Sequence, residues 1–360
     1  LFLLILITAL AEHVCKNANT FLSTENFINI LWQWSDVGIL AIGMTLVIIL
    51  GGIDLTVGSL TALAGGIGIW VMNTIIGAHD VLQQISDARD IGMPSPFSDF
   101  RSELAHLVIQ LHLDGSEFWG VSLGVFAMLG IAAAAGALNG LLIARGKIAP
   151  FITTLGGFAA YRSLALAMVD GGSFNSQSTR ILPALGGGIP IPGIMIAPNM
   201  PLRLPYSVIA LFVIAGLAGV ILNRTRYGRY VIAIGCNERA ARYSAIDVST
   251  IKIITYTLSG LLCGIAGLMI VSRNGSIASS STGSLYELDA IAAVVIGGTR
   301  MRGGSGSILG TLLGVMILGV IASMLNFLDV SPYLQGLVKG VIIIAAVLVQ
   351  RVGGKRTEDA

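Results

Sequence analysis

Long apolar runs separated by short polar links make up most of this chain. Ten of them are candidate membrane spans: residues 1–14, 37–53, 55–77, 118–143, 150–170, 204–222, 253–272, 287–299, 305–327 and 333–350. A straight helix needs about 20 apolar residues to cross the hydrocarbon core. Several of these runs are shorter, and Gly or Pro interrupts many. Non-helical backbone at membrane depth is tolerated only where protein buries it or a cavity borders it. The pattern therefore predicts an all-α, polytopic membrane bundle of about ten transmembrane helices, several of them broken, spanning 1–360 as a single domain. The run at Leu1–Leu10 has no basic segment ahead of it, so it reads as a first span that has lost its beginning rather than as a signal peptide.

Composition narrows the class. Of 360 residues, 54% are hydrophobic and 11% charged, with a mean hydropathy of +0.85. An ordinary soluble domain is about 25% charged. These values exclude a soluble enzyme, a disordered chain and a nucleic-acid binder, and make membrane lipid the surrounding medium. The net charge of +2 is uninformative; its placement is not. With a cytoplasmic N-terminus, the inside loops carry Arg145, Lys147, Arg224, Arg226, Arg229, Arg239, Arg242, Lys252, Arg300, Arg302, Arg351, Lys355 and Arg356. The outside segments carry Lys16, Arg89, Arg101, Arg180, Arg203 and Arg273. The positive-inside rule then places both termini in the cytoplasm.

Three links stand apart. Residues 78–117 hold seven acids (Asp80, Asp87, Asp90, Asp99, Glu103, Asp114 and Glu117). Leu104, Leu107, Val108 and Leu111 follow helical spacing, Ser98 and Asp99 suit a first turn, and a second short helix fits Asp80 to about Ala88. We expect an external helical insertion, either a lid on the bundle or a docking surface. Residues 171–203, rich in Gly, Pro and Ser, read as an external loop or re-entrant turn. Residues 223–252 form a cytoplasmic loop in which Asn237 is a good N-cap and Glu238–Arg242 an i,i+4 pair, predicting a short surface helix.

Familiar catalytic patterns are missing from the sequence. Gly146-Lys147 is followed by Ile148, so there is no Walker A motif; HExxH, GxSxG and Cys/His clusters are also lacking, and no metal site is expected. The chain reads as a non-enzymatic component without its own ATPase site and without a bound cofactor. Intramembrane ionisable residues invite a functional reading. The candidates are Asp54, Arg162, Glu287, Asp289 and Lys339. Asp54 suits an N-cap for the span beginning at Leu55, and Glu287 and Asp289 suit the first turn of a helix following Tyr286. A weak repeat links Gly51-Gly52 with Gly58-Ser59 and Gly297-Gly298 with Gly304-Ser305, each an apolar run ending in a glycine pair. Matched breaks of this kind mark central sites in some transporters.

Several blocks resemble the ribose-type branch of bacterial sugar ABC permeases. They are Gly43-Met44-Thr45-Leu46-Val47-Ile48 with Gly52-Ile53-Asp54-Leu55-Thr56-Val57-Gly58-Ser59, then Pro150-Phe151-Ile152-Thr153-Thr154-Leu155-Gly156, the loop from Gly235 to Ile246, and Tyr286-Glu287-Leu288-Asp289-Ala290-Ile291 through Gly298. The resemblance covers most of the chain. It implies an inner-membrane permease importing a monosaccharide (a ribose-like pentose or related hexose) by alternating access. It also implies an ATP-binding subunit that holds the ATP, a periplasmic sugar-binding protein, and a second permease copy or homologue. Coupling to the ATPase would fall to Gly235, Asn237, Glu238, Ala240, Ala241 and Ser244 in a coupling helix. Small and weakly polar residues of broken spans, namely Asp54, Thr56, Ser59, Asn139, Thr153 and Thr154, are expected along the translocation path. Two features depart from the family pattern. Ala245 stands where the family has Gly, which strains the backbone if φ is positive there, and 78–117 is longer than the expected connector. The competing reading is an ion-coupled secondary transporter, which would need deep, paired ionisable residues.

Overall fold

The computed structural model describes residues 21–90, 97–197, 200–331, 334–338, 340–341 and 344. The described chain is mainly helical. In order it runs α1 (Thr24–Ile49), α2 (Val57–Ile76), α3 (Ala78–Asp90), α4 (Ser98–Gln110), α5 (Glu117–Ala144), α6 (Pro150–Ala167), β1 (Ser173–Asn175), α7 (Ile181–Leu185), β2 (Gly188–Ala197), β3 (Met200–Pro205), α8 (Tyr206–Arg224), α9 (Arg226–Cys236), α10 (Glu238–Tyr243), α11 (Val248–Asn274), β4 (Ser276–Ala278), α12 (Tyr286–Ile296) and α13 (Ile308–Phe327). Six of these, α1, α2, α5, α8, α11 and α13, are long and apolar enough to cross a membrane. The expected spans 150–170 and 287–299 correspond to shorter helices, α6 and α12. The run 1–14 lies outside the described residues, as does most of 333–350.

Two expectations need correction. The fold is not purely helical: 171–203 folds into strands, with β2 pairing β3, and β1 pairing β4 antiparallel through Phe174 and Ile277. The helix expected at 37–53 begins at Thr24, because Ser23 caps it by accepting from Asn26 N at 3.1 Å. Asn26, Asn29 and Gln33 lower the hydropathy of its first turns and interrupt the apolar run there.

The chain divides into two compact units. One comprises the residues through Gly52, Ile189–Ile251 and Leu288 onward. Its centre is α1, which buries nearly every side chain from Trp34 to Leu50 against α8, α9 and α13. Gly38 makes this possible: a Cβ there would lie 2.8 Å from Leu211 of α8. The Thr45 and Thr311 hydroxyls meet at 2.6 Å between α1 and α13. Polar side chains of α1 (Asn26, Asn29, Gln33) and α13 (Ser323, Asn326) border a cavity of about 200 Å³ with Trp34.

The other unit comprises Ile53–Gly188 and Lys252–Glu287. Here α2 packs on α5 and α6. Close approach again relies on small residues, as is common in membrane bundles. A Cβ at Gly124 of α5 would lie 2.7 Å from the Gly68 carbonyl of α2. Gly136 and Gly260 bring α5 and α11 to similar range. The outer flank of α5 exposes Phe118, Leu123, Phe126, Ile131 and Leu138, a composition suited to lipid.

The expected helical pair within 78–117 is α3 and α4. They share a small core of Ala78, Val81, Ile85, Ala105 and Val108 with Ile75, and Arg89 pairs with Asp99. The pair is anchored on α2, where Phe100 stacks on Trp70 at 5.9 Å and Arg101 Nε donates to Thr74 Oγ1 at 3.2 Å. Glu117, at the start of α5, accepts from Ser178 Oγ (2.5 Å), Arg180 N (2.7 Å) and Ile181 N (3.0 Å), tying down the turn into α7.

Candidate functional site

Two clusters contain the sequence-predicted residues, one in each unit. The first forms around the break between α1 and α2. α1 ends in a Schellman motif: Gly51, at φ +92°, donates to Ile48 O and Gly52 donates to Val47 O, both at 2.9 Å. Helix resumes only at Val57. The intervening Ile53–Thr56 segment needs partners for its backbone and receives them from side chains. Asp54, almost fully buried, accepts from Thr56 N (3.0 Å) and Thr56 Oγ1 (2.6 Å) through Oδ1, and from Ser259 Oγ (2.8 Å) through Oδ2. Thr154 Oγ1 lies between two carbonyls, Pro150 O at 2.9 Å in its own helix and Ile53 O at 3.2 Å, and shares its one proton between them.

The network continues outward. Asn139 Nδ2 donates to Thr56 Oγ1 at 3.3 Å, and Tyr161 OH donates to Asn139 Oδ1 at 3.0 Å. Ser59 Oγ donates to Thr56 O at 3.1 Å. Each donor in the line from Tyr161 through Asn139 and Thr56 points toward the Asp54 carboxylate. A hydrogen bond contributes about 0.5–1.5 kcal/mol net, and several of them converge on Ile53–Thr56, so the network rigidifies the unwound segment. Gly157 leaves the room for it: a Cβ there would lie 2.7 Å from Thr56 Cγ2. Of the six path candidates, Asp54, Thr56, Ser59 and Asn139 join one network, and Thr154 holds its edge. Thr153 is buried, and its hydroxyl has no hydrogen-bond partner among the described residues.

Asp54 does not occupy the expected N-cap position. Thr56 is the N-cap, without a side-chain cap bond of its own, and Asp54 closes the turn just ahead of it. Tyr161 and Ser259 were not anticipated from sequence. Tyr161 falls on one face of α6 with Thr154 and Gly157 at helical spacing, which is its signal in the sequence. Ser259 carries no local signal, being 205 residues from Asp54. Arg162 donates to the Ser279 and Thr282 carbonyls at 2.8 and 2.9 Å, so it pins the loop after β4. Glu287 and Asp289 lie buried in the first turn of α12, as expected.

The second cluster lies in 223–252. Thr225 caps α9 by accepting from Gly228 N at 3.3 Å, and α9 buries Val231 and Ile234. Asn237 then ends α9 and begins α10: its N–H donates to Ala233 O at 3.1 Å, and its side chain accepts from Ala240 N at 3.1 Å. Arg242 Nη2 meets Glu238 Oε1 at 2.6 Å. The predicted short helix is thus present with its predicted cap and pair. α10 buries Ala241, and Tyr243 beside it is 91% exposed. Ser244 Oγ donates to Ala240 O at 3.0 Å, and Ala245 closes the turn at φ +59°. Among the described residues no group of three or more His, Cys, Asp or Glu side chains is arranged to hold a metal ion.

Comparison with known proteins gives this architecture a context. A family model described as branched-chain amino acid transport system / permease component matches residues 26–347. The ribose import permease protein RbsC of Escherichia coli K12 is 37% identical over 347 residues, 96% of this chain and 92% of that protein. RbsC of Bacillus subtilis 168 is 36% identical over 356 residues, 98% of this chain and 90% of that protein. The galactose/methyl galactoside import permease protein MglC of Escherichia coli K12 is 31% identical over 331 residues, 91% of this chain and 87% of that protein. No solved structure matched.

Proposed function

We propose, because this chain belongs to the family of ABC-transporter permease components, that it is the membrane-spanning subunit of an ATP-driven importer of a monosaccharide. It is an inner-membrane, multi-pass protein, and its task is transport rather than catalysis. The observation that carries this reading is the 37% identity to a ribose import permease over 96% of the chain. Relatives whose names specify galactose, xylose and fructose are 30–31% identical, so the substrate class is a neutral pentose or hexose.

The finer reading is ours. About ten spans place both termini in the cytoplasm, with α3 and α4 outside and 223–252 inside. ATP is bound and hydrolysed by a partner subunit. A periplasmic sugar-binding protein delivers the sugar, and two permease copies or homologues enclose the path. α10 is the coupling helix: exposed, capped and preformed, it offers Glu238, Ala240 and Tyr243 to a groove on the ATPase. Closure of the ATPase moves α10 and switches the bundle between outward-open and inward-open states. The Asp54 network supports the path reading, because it holds an unwound segment in a fixed shape with hydroxyl and amide groups. A path shaped by such a fixed segment guides a neutral sugar without holding it tightly, and the binding protein supplies the affinity.

The deciding experiment is purification in mild detergent followed by reconstitution. A stoichiometric ATPase subunit and ATP-dependent uptake of D-ribose, D-galactose, D-xylose or D-fructose are expected. Uptake by the chain alone without ATP would overturn the ABC reading. Inserting a proline in place of Ala241 is expected to abolish uptake while the complex still assembles. Full uptake by that variant would remove α10 from its coupling role.

A further inference from the structure

We propose that a backbone junction of Ile49, Gly235 and Gly304 carries the movement of α10 into the end of α1, and that Gly235 is a positioning residue for coupling. The inference rests on the coupling role proposed above for α10.

The argument starts from the end of α1. The last carbonyls of a helix lack intrahelical donors. In α1 the Ile49 carbonyl is one of these, and it accepts from Gly304 N at 2.8 Å. Gly304 belongs to the link between α12 and α13. Gly235, in the last turn of α9, is seated on the same carbonyl: a Cβ built there would fall on Ile49 O and lie 2.5 Å from Gly304 N. A Cβ at Gly303 would lie 3.1 Å from both Gly235 O and Gly51 Cα. Cys236 Sγ reaches Gly304 O at 3.6 Å. Three distant stretches of chain therefore meet through main-chain atoms, at a point with no room for a side chain.

Such a contact differs from ordinary core packing. Side chains absorb small displacements by changing rotamer; two backbones in contact have no rotamer to change. Slack between the junction and α10 is also small. Asn237 follows Cys236 directly, ends α9 and caps α10. A displacement of α10 thus reaches Gly235 within one turn, and Gly235 bears on α1 at the carbonyl that precedes Gly51-Gly52. The break containing Asp54 follows along the chain. The junction turns an exposed six-residue helix into a handle on the most deeply buried helix of its unit.

The test uses the reconstituted complex of permease, ATPase and sugar-binding protein. Its readout is uptake of whichever of D-ribose, D-galactose, D-xylose and D-fructose the parent moves fastest. Gly235→Ala is expected to assemble with the ATPase in the parent stoichiometry. Uptake and sugar-stimulated hydrolysis are expected to fall by about tenfold or more, within the usual 5–150-fold range of coupling effects. An assembled Gly235→Ala complex that transports within about twofold of the parent overturns the proposal. If that variant does not assemble, hydrogen exchange on the unmodified complex decides. The Gly304 amide is expected to keep its protection within about threefold between the nucleotide-free and vanadate-trapped states. A loss of protection by about tenfold in either state means that the junction opens, and the proposal fails. If instead the Ala241→Pro complex transports normally, the coupling reading itself has failed, whatever Gly235→Ala does.

Discussion

The two helix breaks that share a glycine pair end their helices alike and continue differently. α1 and α12 both terminate in a Schellman motif. In α1 the left-handed residue is Gly51 at φ +92°; in α12 it is Gly298 at φ +89°, with Gly298 donating to Val295 O and Thr299 donating to Val294 O. The equivalent glycines are therefore the first of one pair and the second of the other, so the sequence repeat is out of register by one residue. Beyond that point the chemistry diverges. The break after α1 is closed by a buried carboxylate and a line of hydroxyl and amide donors. The break after α12 is a hairpin closed by main chain, with Arg300 N donating to Ser305 O at 3.1 Å and Gly303 N to Arg300 O at 3.0 Å, and with Arg300, Met301 and Arg302 exposed. A glycine pair signals where a helix stops. The residues after it decide whether the gap becomes a polar latch or a surface turn.

Removing the latch tests this contrast most severely. Asp54→Ala leaves Thr56 N–H and the Thr56 and Ser259 hydroxyls without their acceptor in a buried site. Unsatisfied buried donors cost about 1–3 kcal/mol each, so a loss of about 3–5 kcal/mol is expected from unfolding in mixed micelles. Asp54→Asn, which keeps one acceptor oxygen, is expected to lose about 1–2 kcal/mol. Equal losses for the two variants would mean that the carboxylate is not the anchor of the break.

The hairpin break has its own weak point, and it is backbone. Gly304 sits at φ +78°, and a Cβ there would lie 2.6 Å from Cys236 Sγ. Gly304→Ala combines backbone strain with overpacking and is expected to lose about 2–3 kcal/mol. The two Schellman glycines provide the matched control. A Cβ at Gly51 or Gly298 meets nothing within 4 Å, so only the left-handed conformation penalises alanine. Gly51→Ala and Gly298→Ala are expected to lose about 1 kcal/mol each. A large difference between them would show that the two endings are not equivalent.

Much of this was legible in the sequence, for identifiable reasons. Apolar runs disclose most of the helices because lipid and core make the same demand of them. The α9–α10 corner is readable from Asn237, Glu238 and Arg242, since capping and i,i+4 pairing are local. The polar cluster was half readable. Asp54, Thr56, Ser59, Asn139 and Thr154 drew notice as polar residues in apolar surroundings, but Ser259 joins them only through tertiary packing of α11. The start of α1 was hidden by carboxamides that border a cavity. The strands between 171 and 203 were hidden because Gly, Pro and Ser read equally as loop.

Ala245 gives the smallest expected effect and separates strain from function at the corner proposed for coupling. The sugar-permease pattern that this loop resembles has Gly at this position, and the sequence alone does not settle whether φ is positive. It is, at +59°. The residue is held there by the turn that ends α10: its N–H donates to Arg242 O at 3.1 Å, and Ile246 N donates to Ala241 O at 3.2 Å. An alanine in the left-handed region is destabilised by roughly 1–2 kcal/mol. Glycine removes that strain but adds about 0.4–1 kcal/mol of unfolded-chain entropy. Ala245→Gly is therefore expected to stabilise the protein by about 0.5–1 kcal/mol. The turn keeps its hydrogen bonds, so uptake is expected to stay within about twofold of the parent. A gain in stability accompanied by a marked loss of uptake would mean that the strained turn itself takes part in moving α10.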